Sequence, residues 1–370
     1  MNFQLKYPRL PHFRLILTFG ILALASCQSF DVEQQASSPT LAPSLTQTPE
    51  PDSIDFTQAE IDSLNSLQKV DEHPLFVMHY QGPYYETTFI APGPNAQGFD
   101  VEKNPHPVWA CSLFASLGDP QSGVFGRNFD WEFSPALLLF TDPPNGYASV
   151  SMVDLAYFFD TSTVTELMDL DLNDRSPLLN TPSMPFDGMN EKGLAIGMAA
   201  VPQSPTPSDP NNESVGSLRI IRMILDHAAS VEEALTFMRG VNILWNGGPP
   251  LHYLITDANG TAALVEFVAG EMLVIYNTSP WLQATNFLLS NISGSADGVC
   301  NRYDVLTKRL QKEQGDLSLE DAMGLLADVS QSSTQWSIVY QLFTGRVSLA
   351  MGHNYAEIHA FKLKASNLEN

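Results

Sequence analysis

Two short stretches of the chain decide its fold: residues 109–112 read WACS, and residues 125–132 read FGRNFDWE. Cys111 is followed by Arg127 after 16 residues and by Asp130 after 19. If a tight turn joins two strands here, a β-hairpin places the second strand beside Cys111. Arg127 and Asp130 are separated by an odd number of positions, so on a regular strand their side chains would point to opposite faces. We therefore expect a bend or bulge that turns one of them.

Runs of strands alternate with pairs of helices along the rest of the chain. Thr57 and Glu60 form a possible capping box for a first helix, which should end before His73, and Ser230 divides a pair of helices. This order favours an α+β layered sandwich over repeated βαβ units. Further helices are predicted at residues 217–238, 302–314 and 318–329, and strands at 75–80, 124–129, 137–141, 148–158, 194–201, 251–255, 262–268, 272–276, 335–343, 346–351 and 355–363.

Charge and motifs exclude several classes of function. The 370 residues include 18 Lys plus Arg and 41 Asp plus Glu, for a net charge of −23. This charge repels a phosphate backbone, so nucleic acid is not expected as a partner. The chain contains no G-x-G-x-x-G, no P-loop and no G-x-S-x-G nucleophile elbow. Metal-ligand spacing is missing among His73, His79, His252, His353 and His359, and we predict neither a metal nor a cofactor.

The first 27 residues are typical of an export signal. Three basic residues precede an apolar run at residues 15–25, and no acidic residue occurs before Cys27. Residues 24–27, LASC, resemble the bacterial lipobox, whose cysteine is lipidated and becomes the mature N-terminus. The run is short for a membrane span of about 20 residues. We predict an exported protein held at the bacterial cell envelope only by lipid on Cys27, with an ordinary secretory signal or a short membrane anchor as alternatives.

Residues 28–56 have the composition of a tether. They are rich in Pro, Ser and Thr and contain few large apolar side chains. Such a segment cannot bury enough apolar surface to fold, and we predict that it is disordered and flexible.

Five sequence elements occur in one order along the remaining chain. They are Cys111, GRNFD at 126–130, NEKGL at 190–194, the pair Thr285-Asn286 and the pair Arg302-Tyr303. This order resembles the choloylglycine hydrolase family of N-terminal nucleophile (Ntn) hydrolases, which includes bile salt hydrolases, penicillin V acylases and related acid amidases. The resemblance covers residues 111 to about 365. It implies an αββα four-layer sandwich that hydrolyses a linear, non-peptide amide of a small N-acyl molecule.

The resemblance also implies a role for each site residue. Cys111 would attack the amide, and its own free α-amine, with a pKa of about 8, would accept the thiol proton. Arg127 would lower the thiol pKa through its positive charge, and Asp130 would orient the α-amine. Asn286 would donate to the oxyanion of the tetrahedral intermediate, while Arg302 would be a charge partner in the cluster.

The chain departs from the family pattern at two places. Bile salt hydrolases supply a second oxyanion donor from an Asn shortly after the NEKGL strand, but residues 199–202 here read AAVP. Cys111 also lies deep in the chain, as in the acid ceramidase and acylethanolamine amidase relatives, which cleave themselves before the cysteine. By that similarity we predict cleavage between Ala110 and Cys111, residues 57–110 as a propeptide or retained small subunit, and an Ntn hydrolase domain at 111–370.

Simpler interpretations of the same residues stay open. Cys111 could form a disulfide with Cys300, Arg127 and Asp130 could form a plain salt bridge, Asn286 could cap a strand end, and Arg302 could start a surface helix. At the level of function, an acyltransferase of the penicillin-forming type would use the same cysteine, and a non-catalytic ligand-binding lipoprotein would keep only the fold. Neither the acyl group of the substrate nor the oligomeric state has a signature in the sequence.

Overall fold

A hairpin that starts at Cys111 forms the centre of one of two large sheets in the computed structural model of the protein. The structure describes residues 55–84, 110–202, 204–245 and 248–363. The predicted export signal at 1–27, the predicted lipidation site Cys27 and residues 28–54 of the predicted tether lie outside these ranges.

Seventeen strands and seven α-helices occur in the described ranges. The strands are β1 Gln68–Asp71, β2 Leu75–Tyr80, β3 Ser112–Ser116, β4 Val124–Asp130, β5 Ala136–Thr141, β6 Ser149–Asp154, β7 Asp187–Asn190, β8 Ala195–Ala200, β9 Glu213–Gly216, β10 Val241–Leu244, β11 Leu251–Thr256, β12 Ala262–Val268, β13 Glu271–Tyr276, β14 Trp281–Ala284, β15 Thr334–Gln341, β16 Arg346–Met351 and β17 His359–Lys362. The helices are α1 Gln58–Asn65, α2 Thr161–Thr165, α3 Leu172–Arg175, α4 Arg219–His227, α5 Val231–Arg239, α6 Asn301–Lys312 and α7 Leu319–Asp328.

The strands form two sheets that pack face to face. One sheet has six strands in the order β14-β3-β4-β15-β16-β17, and the other has nine in the order β1-β2-β5-β6-β7-β8-β11-β12-β13. At Gly197 of β8 an added Cβ would lie 2.9 Å from the Phe125 ring and 3.0 Å from Leu113, so only glycine permits this close approach of the sheets. A small parallel pair, β9 with β10, lies outside both.

Helices cover the outer face of each sheet. Leu225 of α4 packs against Gly188 of the nine-stranded sheet, and α5 joins the same apolar core. On the six-stranded sheet, Leu326 of α7 packs with Phe114 and its carbonyl accepts a hydrogen bond from Asn128 Nδ2 at 2.8 Å. These four layers confirm the predicted α+β class and αββα order.

Local signals predicted several elements well. Thr57 and Glu60 form the expected capping box, and Ser230 caps α5 by accepting from the Glu233 N–H. The predicted first helix was too long, because α1 ends at Asn65 and the chain returns as β1 to pair with β2. The strand predicted at 148–158 was also too long, since β6 ends at Asp154, which caps a short 3₁₀ turn.

The segment before Cys111 contributes directly to the nine-stranded sheet. Strand β2 pairs in parallel with β5, from Leu75 opposite Ala136 to Tyr80 opposite Thr141. Within the described ranges, no helix combines the length and the apolar character that a membrane span requires.

Asp154 is a buried carboxyl whose ionisation affects stability. Its Oδ1 accepts a hydrogen bond from the Ala156 N–H at 2.9 Å. Burial raises the pKa of Asp154 to about 7, although hydrogen bonds from Ala156 and Ser134 act to lower it. The folded chain therefore binds this proton more tightly than the unfolded chain, and the free energy of unfolding falls as pH rises from about 4 to about 7.

We expect Asp154→Asn to remove this part of the pH dependence, because Asn keeps the capping oxygen but does not ionise. From about pH 5 to about pH 7, the free energy of unfolding of the wild type should fall by up to roughly 1.4 kcal/mol per pH unit more than that of the variant. Urea denaturation at both pH values measures the difference. Asp160→Asn is the control, since Asp160 caps α2 with a pKa lowered to about 2 by hydrogen bonds from the Thr163 N–H and Ser162. An Asp154→Asn variant with the wild-type slope would contradict the assignment.

Candidate active site

Cys111 lies directly before β3, at the point where three strands of the six-stranded sheet end side by side. On one side β3 pairs with β4, with Leu113 opposite Arg127, which confirms the predicted hairpin. On the other side β3 pairs with β14, with Leu113 opposite Ala284, and Asn286 follows two residues later. The strand pairing thus brings side chains from both neighbouring strands to the cysteine.

The Cys111 thiol is buried beside a guanidinium group. Cys111 is 2% exposed, and Arg127 Nη2 lies 3.9 Å from its Sγ. Burial raises the pKa of the thiol, and this effect exceeds the lowering by Arg127, by a backbone hydrogen bond from Asp130 and by Arg302. Arg127 lowers the thiol pKa, as predicted, but in the uncleaved chain burial dominates and the net pKa of Cys111 lies above its ordinary value.

Arg127 is held in place by a buried ion pair that was not predicted from the sequence. Its Nη1 pairs with Asp187 Oδ2 on the facing sheet, and both side chains are fully buried. The Tyr340 hydroxyl donates to Asp187 Oδ1 at 2.5 Å, and the guanidinium lies 5.0 Å from the centre of the Phe129 ring. Arg127 therefore forms its salt bridge with Asp187 and not with Asp130, the partner that the simpler interpretation suggested. A buried guanidinium requires a counter-ion, but only the fold shows which carboxylate supplies it.

Asp130 lies opposite an irregularity in the six-stranded sheet. The register of β15 against β4 shifts between Thr334 and Trp336, opposite Asp130 and Phe129. The sequence predicted a bend or bulge that turns Arg127 or Asp130, but the extra residue lies on β15 and not on β4, the strand that carries both. Asp130 Oδ1 accepts from Thr334 Oγ1 at 2.5 Å, while Oδ2 has no hydrogen-bond partner among the described residues. Burial raises the pKa of Asp130 to about 6, against the lowering by Thr334, Arg302 and Arg127.

Asn286 is fixed by three hydrogen bonds that define its amide orientation. Its Oδ1 accepts from the backbone N–H of Cys111 at 2.7 Å and from Arg302 Nη2 at 3.0 Å. Its Nδ2 donates to the carbonyl of Ala200 at 2.8 Å. Two donors face Oδ1 and one acceptor faces Nδ2, so only this orientation satisfies the amide, and one N–H of Nδ2 is left to donate. The Ala-Ala-Val-Pro stretch, which supplies no side-chain donor, thus supplies a carbonyl that orients Asn286.

Arg302 joins the cluster from the first turn of α6. Its Nη1 donates to the carbonyl oxygen of Cys111 and, at 3.0 Å, to Ser112 Oγ. The structure therefore brings all five predicted site residues together, and Arg302 faces the cysteine although it also begins a helix. Both Cys111 and Cys300 are free thiols, so the alternative of a disulfide between them is wrong.

An aromatic cluster adjoins the polar residues. The Phe129 ring stacks on Trp336 at 4.2 Å between centres, and Phe186 packs edge-on against Phe129 at 5.2 Å. The rings come from three strands or loops far apart in the sequence. They exclude water around Arg127, which strengthens its attraction for a thiolate. Among the described residues, no group of three or more His, Cys, Asp or Glu side chains is placed to hold a metal ion.

Two facing sheets with helices on both outer faces form the layered fold of Ntn hydrolases. The chain shares 18% identity and a TM-score of 0.50 with the crystal structure of a variant of conjugated bile acid hydrolase from Clostridium perfringens, over 68% of this chain and 92% of that one. Penicillin V acylase from Agrobacterium tumefaciens is 15% identical with a TM-score of 0.47, over 70% and 93% of the two chains. Residues 111–286 match the model of the linear amide C-N hydrolases, choloylglycine hydrolase family. This match agrees, over these residues, with the family resemblance that the sequence predicted.

Proposed function

We propose that the protein hydrolyses the amide bond of a small N-acyl molecule with Cys111 as the nucleophile, after cleaving itself between Ala110 and Cys111. The observation that carries the proposal is the arrangement of Arg127, Asn286 and Arg302 around one buried thiol. Asn286 accepts a hydrogen bond from the backbone N–H of Cys111, and Arg127 lies 3.9 Å from the sulfur of Cys111. A thiolate, a cation beside it and an oriented amide donor are the groups that acyl transfer to a cysteine needs.

The reaction follows from these positions. In the cleaved protein the α-amine of Cys111 takes the thiol proton, since an α-amino group ordinarily has a pKa of about 8. The thiolate attacks the amide carbon, and the free N–H of Asn286 Nδ2 donates to the oxyanion. The amine product leaves with the proton held by the α-ammonium, and a thioester to Cys111 remains. Water then hydrolyses the thioester to the carboxylic acid and restores the thiol.

Self-cleavage would change the electrostatics of the thiol. In the continuous chain the nitrogen of Cys111 is a peptide N–H, which cannot accept a proton, and the thiol pKa is raised. Cleavage replaces this nitrogen by an amine on the same residue. The unpartnered Oδ2 of Asp130 is the acceptor we assign to the resulting ammonium. The residues before Cys111 would stay bound as a small subunit, because β2 is an integral strand of the nine-stranded sheet.

We further propose that the enzyme lies outside the cytoplasm and is attached to the cell envelope by lipid on Cys27. This part rests on the sequence of residues 1–27. A Cys27→Ser variant is expected to lose incorporation of a labelled fatty acid, while the wild type incorporates it.

Intact-protein mass spectrometry with a substrate panel tests the main proposal. Purified wild type should consist of two polypeptides, the larger beginning at Cys111. The panel contains a conjugated bile salt, penicillin V, an N-acylethanolamine and an acyl-homoserine lactone, and release of the amine from at least one is expected. A wild-type protein that hydrolyses none of them, and whose Cys111 does not react with iodoacetamide, would overturn the proposal.

Replacing Asn286 with alanine should lower kcat for the panel substrate by about 10²- to 10³-fold, because the oxyanion loses its side-chain donor. Steady-state kinetics measures this change. The rate of Cys111 alkylation by iodoacetamide is expected to stay near that of the wild type, since that displacement forms no oxyanion.

Asn242→Ala is a matched control for Asn286→Ala. Asn242 is also mostly buried, and its amide bonds the backbone of Asp209 and Asn212 away from Cys111. It should lose stability and keep kcat. Equal losses of kcat in the two variants would indicate general destabilisation and contradict the role of Asn286.

A further inference from the structure

Glu266 is a fully buried carboxylate that the reaction described above does not use. It lies on β12 of the nine-stranded sheet and is 0% exposed. Its Oε1 accepts from the backbone N–H of Leu289 at 2.7 Å, and its Oε2 accepts from the N–H of Ser290 at 2.9 Å. A buried charge is stable only when hydrogen bonds satisfy it, and here two backbone donors of one turn do so.

That turn directly follows the oxyanion donor. The 3₁₀ turn Leu289–Asn291 begins three residues after Asn286. Asn286 follows β14 of the six-stranded sheet, whereas Glu266 belongs to the facing sheet. The carboxylate thus ties the chain beyond Asn286 to the opposite layer. Between the two points, the Phe287 ring packs against Tyr303, next to Arg302, at 5.2 Å between centres.

His252 extends this connection towards the site. Its Nδ1 lies 3.4 Å from Glu266 Oε1. His252 sits on β11 opposite Ala199, and the next residue, Ala200, holds Asn286 Nδ2 through its carbonyl. Burial raises the pKa of Glu266, but hydrogen bonds from His252 and Ser290 outweigh it, and the net pKa lies below the ordinary value. Glu266 is thus held as the anion that two backbone donors require.

We infer that Glu266 is a positioning residue for Asn286: its buried carboxylate fixes the turn beyond Asn286 and so holds the oxyanion donor where Cys111, Arg302 and Ala200 can orient its amide. The inference rests on the proposed function, in which Asn286 acts on the tetrahedral intermediate. Displacement of a catalytic group by about 1 Å costs roughly 10²-fold in rate. A residue that acts only through Asn286 should affect the step that forms the oxyanion and should leave ground-state substrate binding unchanged.

Glu266→Gln tests the inference, because Gln has nearly the same shape but only one acceptor oxygen. One of the two backbone N–H groups then faces an NH₂ group and loses its partner. With the panel substrate that the wild type cleaves fastest, we expect kcat to fall by about 10- to 100-fold with KM within about twofold. Alkylation of Cys111 by iodoacetamide should proceed at the wild-type rate, which shows that the folded thiol environment is intact.

Asp257→Asn is the matched control. Asp257 is buried at the end of β11 and also accepts backbone N–H groups, from Val231, Asn259 and Thr261. This variant should lose stability but keep kcat. If Glu266→Gln does not fold, Glu266→Asp tests the inference instead. Asp keeps the charge and both carboxylate oxygens, but its side chain is one methylene shorter, so the oxygens lie farther from the turn. Its kcat should also fall, with alkylation unchanged.

A double-mutant cycle separates positioning from general damage. If Glu266 acts through Asn286, adding Glu266→Gln to Asn286→Ala should lower kcat by less than about twofold further. If the double variant instead loses kcat by the product of the losses in the two single variants, the inference is overturned. A wild type active on the panel together with a fully active, folded Glu266→Gln would overturn it while leaving the proposed function intact. A wild type that is inactive on every panel member, and whose Cys111 does not react with iodoacetamide, would overturn the proposed function and this inference with it.

Discussion

Replacing Cys111 with alanine is expected to abolish both amide hydrolysis and self-cleavage. Removal of the nucleophile of a hydrolase costs on the order of 10⁶-fold in kcat, since the remaining groups cannot form the acyl-enzyme. Arg127, Asn286 and Arg302 would keep most of their contacts but would have no sulfur to act on. The purified variant should be a single polypeptide by intact mass, and product analysis of the substrate panel should detect no released amine.

Cys300→Ala is the control for the Cys111 variant. Cys300 is also a free thiol, and it is partly exposed at the N-terminus of α6, two residues before Arg302. This variant should be cleaved and active like the wild type. A single uncut chain in the wild type with full activity would refute self-cleavage alone, whereas an active Cys111→Ala chain would refute the nucleophile.

Elements with a local physical cause were predictable from the sequence. The hairpin from Cys111 to Asp130 has a turn of suitable length between two apolar runs, and the caps at Thr57 and Ser230 depend on residues three positions apart. The odd spacing of Arg127 and Asp130 predicted a bend or bulge that turns one of them, but the register shift lies on the neighbouring strand β15. The resemblance supplied Asn286 and Arg302.

Contacts between residues far apart in the sequence were not predictable. Asp187 lies 60 positions from Arg127, Glu266 lies 23 positions from Leu289, and no pattern near either carboxylate marks it as a counter-ion or an anchor. Within the described residues, the strands β9 and β10 pair only with each other, across the helices α4 and α5, and their burial is mixed. Side-chain periodicity indicates which face is buried, but the register between strands decides which polar groups meet.

Asp187→Asn is expected to cause a large loss of folding stability. Arg127 and Asp187 are both fully buried, and their ion pair joins the two sheets. Asn keeps the shape and can still accept from the Tyr340 hydroxyl, but Arg127 then becomes a buried charge without a counter-ion. Breaking a buried pair from one side costs about 3–5 kcal/mol, because the desolvation of the remaining ion is no longer compensated.

The measurement is urea denaturation of Asp187→Asn in the uncut Cys111→Ala chain, so that one polypeptide unfolds in each sample. Glu72→Gln in the same chain is the control. Its partner Lys69 lies 2.8 Å away, but the Glu72 side chain is 95% exposed, and an exposed pair contributes at most about 1 kcal/mol. Similar losses for the two variants would show that Arg127 finds another compensating group. The large difference expected instead would mean that the buried ion pair between Arg127 and Asp187 stabilises the contact between the two sheets.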